Sequence, residues 1–543
     1  MQTKYVVVLG LLLSGLGKGI VTSSIAKILQ FYNYRVRPLK FDGYLNYDCG
    51  TMNPYRHGEV FVLDDKGEVD MDFGNYERFL NIDMNSDFSI TGGKLFSEII
   101  AKERKGDFLG RDVQFIPHMT EHIISKIESI SEKYKLDTMV IEVGGTVGDI
   151  ENNYFIEAMR QLALRRKVVF VAVTYVPELA TVGEQKTKPT QLALRMLMQM
   201  GISPDFIVCR SEKPLEENVR EKLAVFSSLS KEHIISDNDI ESIYELPMKL
   251  MQQGLDKMLI ASLNEDHNTL NQEKLSSWKT YLERARKAKE GASISIGVVG
   301  KYVGLRDSYA SVKEALNHAA ATLNAALNIK WIESEELEGI SEQQLAERLG
   351  NLDGILVPGG FGNRGIEGMI RAIKYARENK IPYLGLCLGM QLMTIEYARN
   401  MCNLKGANST EFDKNTKYKV IDLMESQRWI KQKGGTMRLG AWDAVLKDGS
   451  IAKKAYKKRI ISERHRHRYE FNNKYKSLLE KNGLNITGTT PDGKLVECVE
   501  WKDSFGVATQ FHCELKSRPE APAPLFLSFI SSALKFQQVM NKV

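Results

Sequence analysis

The chain has 543 residues, too many for one hydrophobic core, and two to four domains are expected. Lys and Arg total 74 against 68 Asp and Glu, a net charge of +6 that is mild for this length; it calls for no nucleic-acid or membrane surface and suits small anions such as nucleotides. The 6 cysteines show neither CxxC nor Cys/His metal spacing, which argues against structural zinc and a disulfide framework and points to a reducing, cytoplasmic location.

The first predicted element is an apolar strand from Tyr5 to Leu9. Its extension to Leu13 superficially matches a signal peptide, but a glycine loop follows at once without a clear small-residue cleavage site. No segment is long enough to span a bilayer. In that loop Gly15, Leu16, Gly17, Lys18, Gly19 and Ile20 lead into a helix, an arrangement that can cradle phosphate through backbone N–H groups and the helix dipole. The loop departs from G-x4-G-K: leucine occupies position 12, and Gly19 stands where a hydroxyl residue normally follows the lysine. Magnesium must therefore find its oxygens elsewhere, and Asp72 and Glu142, the latter ending a strand from Thr138, are the available carboxylates.

Strand and helix alternate onward, with β-branched runs at 167–174 and 205–209, the pattern of parallel sheets with helices on both faces. Composition turns polar and charged between Asn264 and Gly291 before a new strand, Ser293 to Val299. The expected division is a domain over 1–265, a linker over 266–292 and a second domain over 293–543. The fold class is α/β with two doubly wound parallel-sheet domains.

In the second half, the strand from Gly354 runs into a glycine-rich loop ending at Gly365, whose bare N–H groups could hold an oxyanion. A short apolar strand, Ile381 to Leu386, then meets Cys387, and helical spacing follows from Gly389. A strand–elbow–helix exposes a thiol at a helix N-terminus, where the dipole favours thiolate. His512 is the candidate base and Glu514 the group that orients its ring. The basic run from Lys453 to Arg468 reads as a solvated face except at its Arg/His-rich end.

These segments, from about Ser293 onward, resemble the class I glutamine amidotransferases. The resemblance implies Cys387 as nucleophile, His512 and Glu514 as its partners, and Gly360, Leu388, Gly389, Met390, Gln391, Glu411 and Arg468 as glutamine-binding positions. The N-terminal half is similar to the CTP synthase family in the loop Ser14–Gly19, in Gly50–Val62, Asn75–Arg78, Glu142–Glu151 and Gly183–Gln191. Together the two likenesses imply a P-loop-like amidoligase domain, binding ATP and UTP, followed by a glutaminase. The implied reaction is amination of UTP to CTP with ATP, Mg2+ and L-glutamine, ammonia passing internally between domains. ATP falls to Gly15–Ile20, Lys40, Asp72 and Asp239, Ile240 and Glu241. UTP or CTP falls to Ser14, to Asp149, Ile150 and Glu151, to Lys186, Thr187, Lys188, Pro189, Thr190 and Gln191, and to Lys222. Asp72 and Glu142 hold the metal, and Pro54, His57 and Val60 narrow the ammonia passage. The same resemblance implies a homotetramer inhibited by CTP and activated by GTP.

The chain departs from the family pattern at Leu11, at Gly43 and Cys49 in place of prolines, at Asn152, Asn153 and Tyr154, and at Cys513 in place of proline. Leu11 puts a Cβ where the backbone needs close approach or positive φ, and the other changes are expected to soften loops. Two other readings stand beside this one: an amidoligase of the dethiobiotin synthetase or cobyrinic acid amidase type, and a nucleotide-sensing or filament-forming relative without catalysis.

Overall fold

The computed structural model describes residues 2–179, 181, 183–264, 269–424, 427 and 434–540. By compactness the chain divides into two units, Met1–Asp48 with Asn75–Trp278, and Cys49–Gly74 with Lys279–Val543. The expected linker begins at residues outside the described set; the rest of it contains the helix Gln272–Ala288.

The first unit is built on seven parallel strands: β1 (Lys4–Gly10), β2 (Val36–Asp42), β3 (Ser89–Thr91), β4 (Thr138–Val143), β5 (Val168–Tyr175), β6 (Phe206–Ser211) and β7 (Ile234–Asn238). Their order is β7-β6-β5-β1-β4-β2-β3. The chain thus starts in the middle and winds outward on both sides, leaving a crevice beyond the carboxyl ends of β1, β4 and β5 where such sheets bind ligands. β1 is a continuous apolar run because both faces are covered: Val6, Val7 and Val8 are fully buried. The helix α1 (Lys18–Phe31) follows β1, with Gly17 capping it in the left-handed region at φ 80°.

The second unit is built on a nine-stranded sheet: β8 (Ala292–Gly300), β9 (Ala325–Glu333), β10 (Gly354–Val357), β11 (Tyr383–Leu386), β12 (Arg438–Leu446), β13 (Ile460–His467), β14 (Leu484–Thr489), β15 (Val496–Trp501) and β16 (Gly506–Thr509). The order is β9-β8-β10-β11-β16-β15-β14-β12-β13. Strands from β9 to β16 in that order run parallel, and the remaining four continue antiparallel. Alternate side chains feed two cores. Ile355, Val357 and Tyr383 pack with the helices Ile366–Glu378 and Leu388–Asn400, while Leu356, Leu384 and Leu386 pack with Ala310–Thr322 and Pro524–Met540. The unit also takes in an N-terminal excursion, with a one-turn helix at Pro54–His57 and a hairpin pairing Phe61 with Val69 and Val62 with Glu68. No helix among the described residues is long and apolar enough to cross a membrane.

Candidate functional site

In the first unit the candidate phosphate-binding groups gather at the carboxyl ends of the strands. Lys18 opens α1 and is buried, its Nζ donating to the Gly145 carbonyl at 2.8 Å. A Cβ at Gly10 would stand 2.7 Å from that Nζ, so glycine there leaves the lysine its path. Lys40 and Glu142 are register neighbours on β2 and β4, and their charged atoms lie 3.9 Å apart; Asp42 is 3.8 Å from Lys40. Tyr76 donates to Glu142 Oε2 at 2.5 Å. Asp72 opens the helix Asp72–Leu80 and falls in the second unit, not the first. The described residues contain no group of three or more His, Cys, Asp or Glu side chains suited to a metal. Glu142 belongs to the first unit and Asp72 to the second, and each is a hard carboxylate oxygen donor of the kind that Mg2+ takes.

The expected pyrimidine residues divide. Asp149, Lys188 and Pro189 line one cavity together with Leu12, Thr146 and Leu192. Asp149 accepts from the Thr146 N–H at 2.7 Å, while Ile150 is 84 % exposed and Glu151 is also exposed. Lys186 pairs with Glu184 at 2.6 Å, and Lys222 contributes to the field that lowers the Glu184 pKa. Thr187 accepts from Gln191 at 3.3 Å, and Thr190 is buried, donating to the Tyr175 carbonyl at 2.9 Å. Ser14 and Gly15 are exposed, and Gly15 has φ 74°. Leu16 and Gly19 are buried, and Ile20 is half-buried. Asp239 pairs with Arg210 just after β7; Ile240 is half-buried and Glu241 exposed.

Of the departures, the positive φ expected at Leu11 falls instead on its neighbour. Leu11 is buried without positive φ and donates to the Val173 carbonyl at 2.8 Å; the left-handed residue is its neighbour Leu12, at φ 75° inside a turn closed by Leu13 N–H to Leu11 C=O. Gly43 and Asn152 are complementary, since a Cβ at 43 would lie 2.4 Å from Asn152 Oδ1. Asn153 is exposed, whereas Tyr154 is buried against Phe155, with ring centroids 4.4 Å apart. Cys49 uses the N–H that proline lacks, donating to the Glu68 carbonyl at 3.1 Å. Cys513 is fully buried at the start of a short 3₁₀ turn, Cys513–Lys516.

The second unit carries the thiol. Cys387 sits between β11 and the helix Leu388–Asn400 at φ 52° and ψ −96°, a strained elbow residue held by its N–H to the Thr509 carbonyl at 2.6 Å. Its Sγ lies 3.9 Å from the Arg466 carbonyl and receives the Gln510 amide at 3.5 Å. His512 Nδ1 is 2.7 Å from Glu514 Oε1, while Nε2 is buried without a hydrogen-bond partner. Burial works to strip the ring of its proton, but the Glu514 carboxylate and the Cys387 sulfur outweigh it, and the His512 pKa lies well above the ordinary histidine value. Gly359 fits between the two: a Cβ there would be 2.7 Å from His512 Cε1 and 3.7 Å from Cys387 Cβ.

Around this pair the glycine loop is tied down on both sides. Gly362 donates to Glu411 Oε1 at 2.8 Å, and Lys301 Nζ donates to the Phe361 carbonyl at 3.1 Å and to the Gly362 carbonyl. Burial lowers the Lys301 pKa to about 8 against the pull of Glu411, and raises that of Glu411. Gly360, Pro54 and Val60 line the same cavity as Cys387, His512 and Glu514. Gln391 donates to the Tyr469 carbonyl at 3.1 Å and to Gln510 at 3.3 Å. Leu388, Gly389 and Met390 form the first helical turn beyond the thiol and are buried. Arg468 donates to Gln427 at 2.6 Å; neither it nor His57, exposed on its one-turn helix, is among the residues lining the cavity.

Sequence reasoning missed Lys301, Arg466, Gln510 and Gly359. Lys301 follows the carboxyl end of parallel strand β8, a place where such folds gather functional groups, while Gly359 lies in the glycine-rich loop and Arg466 in the Arg/His-rich end that the sequence had already marked.

An elbow thiol, a His–Glu pair and a glycine loop, in a chain that also carries a phosphate-loop sheet, define a glutamine amidotransferase fused to a synthase. A family model described as CTP synthase N-terminus matches residues 4–265, and one described as glutamine amidotransferase class-I matches 304–532. The CTP synthase of Caldanaerobacter subterraneus subsp. tengcongensis is 49% identical over 540 residues, 99% of each chain. That of Carboxydothermus hydrogenoformans is 50% identical over 538 residues, 98% of this chain and 99% of its own. A solved glutaminase domain of Trypanosoma brucei CTPS with bound acivicin is 42% identical, covering 45% of this chain and 94% of that one, with a TM-score of 0.43. The chain belongs to the CTP synthase family.

Proposed function

We propose that the chain converts UTP to CTP with ATP and glutamine. The observation that carries this reading is the cavity at Cys387: it is lined both by the thiol, His512 and Glu514 and by Pro54 and Val60, which come from the amidoligase part of the sequence. His512 removes the thiol proton, and Cys387 attacks the glutamine amide carbon. The glycine loop at Gly360 receives the oxyanion, ammonia leaves, and water hydrolyses the glutamyl thioester to glutamate. Gln391, Glu411 and Arg468, with the turn Leu388–Met390, hold the glutamine.

In the other unit ATP phosphorylates the uracil 4-oxygen, making it a leaving group. Ammonia passing Pro54, His57 and Val60 adds at C4, and phosphate departs to give CTP with ADP. Lys18 and Lys40 neutralise phosphate charge, with the loop Gly15–Ile20 and the segment Asp239–Glu241 holding ATP. Ser14, Asp149–Glu151, Lys186–Gln191 and Lys222 hold the pyrimidine nucleotide. Asp72 and Glu142 would hold Mg2+, which would supply charge neutralisation at the phosphates. The reading includes inhibition by CTP, activation by GTP, the cytoplasm and a homotetramer. The cytoplasm suits six cysteines without CxxC or metal spacing, and a homotetramer suits the exposed apolar side chains of Leu109, Phe115, Ile116, Ile150 and Leu192.

The test is the nucleotide dependence of ADP release in the presence of ammonium chloride. Release is expected only with UTP. A chain that releases ADP equally well with a carboxylate in place of UTP is the other kind of amidoligase.

A further inference from the structure

Along β13 the side chains alternate. Glu463, His465 and His467 are buried on one side, while Arg464 and Arg466 turn to the excursion Cys49–Gly74. Arg464 Nε bonds Asp64 Oδ1 at 2.5 Å, its guanidinium lies 5.4 Å from the Phe61 ring centroid, and Lys516 reaches the other Asp64 oxygen at 3.0 Å. Arg466 Nε bonds Glu68 Oε1 at 2.8 Å, and its Nη2 donates to the Gly50 carbonyl at 3.0 Å. The hairpin's turn and the start of its second strand are therefore both gripped by one strand. The same two residues use their backbones on the thiol site: the Arg464 carbonyl accepts the His512 N–H at 2.8 Å, and the Arg466 carbonyl lies 3.9 Å from Cys387 Sγ. The Arg466 guanidinium also covers Phe361 of the glycine loop at 5.0 Å.

We propose that Arg464 and Arg466 are positioning residues that seat the excursion carrying Pro54 and Val60 over the Cys387 cavity, so that released ammonia enters the passage instead of bulk water. The proposal rests on the function proposed above. Arg464 is fully buried and only 13 % of the Arg466 side chain is exposed, so removing Asp64 or Glu68 takes a counter-charge from a guanidinium that water reaches poorly, and the hairpin must shift. The chemistry at the thiol does not use these ion pairs. Their loss therefore separates glutamine hydrolysis from CTP formation.

The experiment measures glutamate and CTP formed together in the full chain for wild type, Glu68→Ala, Asp64→Asn and Arg466→Lys, and CTP formed from ammonium chloride in each. Wild type should give about one glutamate per CTP. The Glu68 and Asp64 variants should raise that ratio by about threefold or more, with ammonia-driven rates within about twofold of wild type, and Arg466→Lys should fall between. A ratio that stays at one in the Glu68 and Asp64 variants, or glutamate and CTP falling in parallel, overturns the proposal. Should Glu68→Ala fail to fold, Asp64→Asn decides alone, being close to isosteric and at a half-buried site. Wild type that makes no CTP from either nitrogen source overturns the function reading, and this proposal with it.

Discussion

Glu514 is 2.7 Å from the His512 ring, and its charge is the main opponent of the burial that would otherwise deprotonate that ring. Glu514→Gln should lower glutaminase kcat/KM by about a hundred- to ten-thousand-fold, by analogy with loss of the orienting carboxylate in other triads, while ammonia-driven CTP synthesis persists. The histidine pKa is raised by folding, so its stabilising contribution is complete below the unfolded value of about 6.5 and is lost as pH rises through the folded value. The stability advantage of wild type over Glu514→Gln should accordingly shrink between pH 6 and pH 9 in urea unfolding; an advantage that grows with pH would contradict the assignment. Leu12 offers a second residue-scale test. A left-handed leucine costs about 1–2 kcal/mol, more than the roughly 0.4–1 kcal/mol of chain entropy that glycine adds to the unfolded state. Leu12→Gly should raise the urea midpoint without changing the slope.

At the scale of elements, much was legible because local chemistry decided it. The strand–elbow–helix around Cys387 follows from an apolar run, a glycine-flanked thiol and helical spacing, and the structure has β11, a positive-φ Cys387 and a helix in that order. Glu142 was legible as a strand-end acid for the same reason. Loop compensation was not legible: Gly43 and Asn152 are far apart in sequence, and each looked like an isolated loss of proline or rigidity until the two were found to occupy one space. Gly43→Ala should cost about 1–3 kcal/mol, and Asn152→Ser in that background should return at least about 0.5 kcal/mol, a coupling measurable by a double-mutant cycle. The helix Gln272–Ala288 was hidden by its charged composition, although Leu275, Trp278 and Tyr281 recur every three residues and are buried.

At the scale of the whole molecule, the feature sequence could not give is the membership of Cys49–Gly74 in the glutaminase unit. It depends on ion pairs such as Arg466–Glu68, separated by 398 residues, and no local pattern encodes a partner so distant. That membership gives the proposed coupling a physical basis: ammonia would be protonated in bulk water at neutral pH, and the proposed passage segment is part of the thiol unit. The central claim is that one chain holds two separable chemistries joined by that nitrogen. Its most direct test follows the ultraviolet change from UTP to CTP, with ATP and Mg2+, using either glutamine or ammonium chloride, in wild type and Cys387→Ala. CTP is expected from both sources in wild type and from ammonium chloride alone after the substitution. Glutamine-driven CTP synthesis that survives Cys387→Ala, or no CTP from either source in wild type, would contradict it.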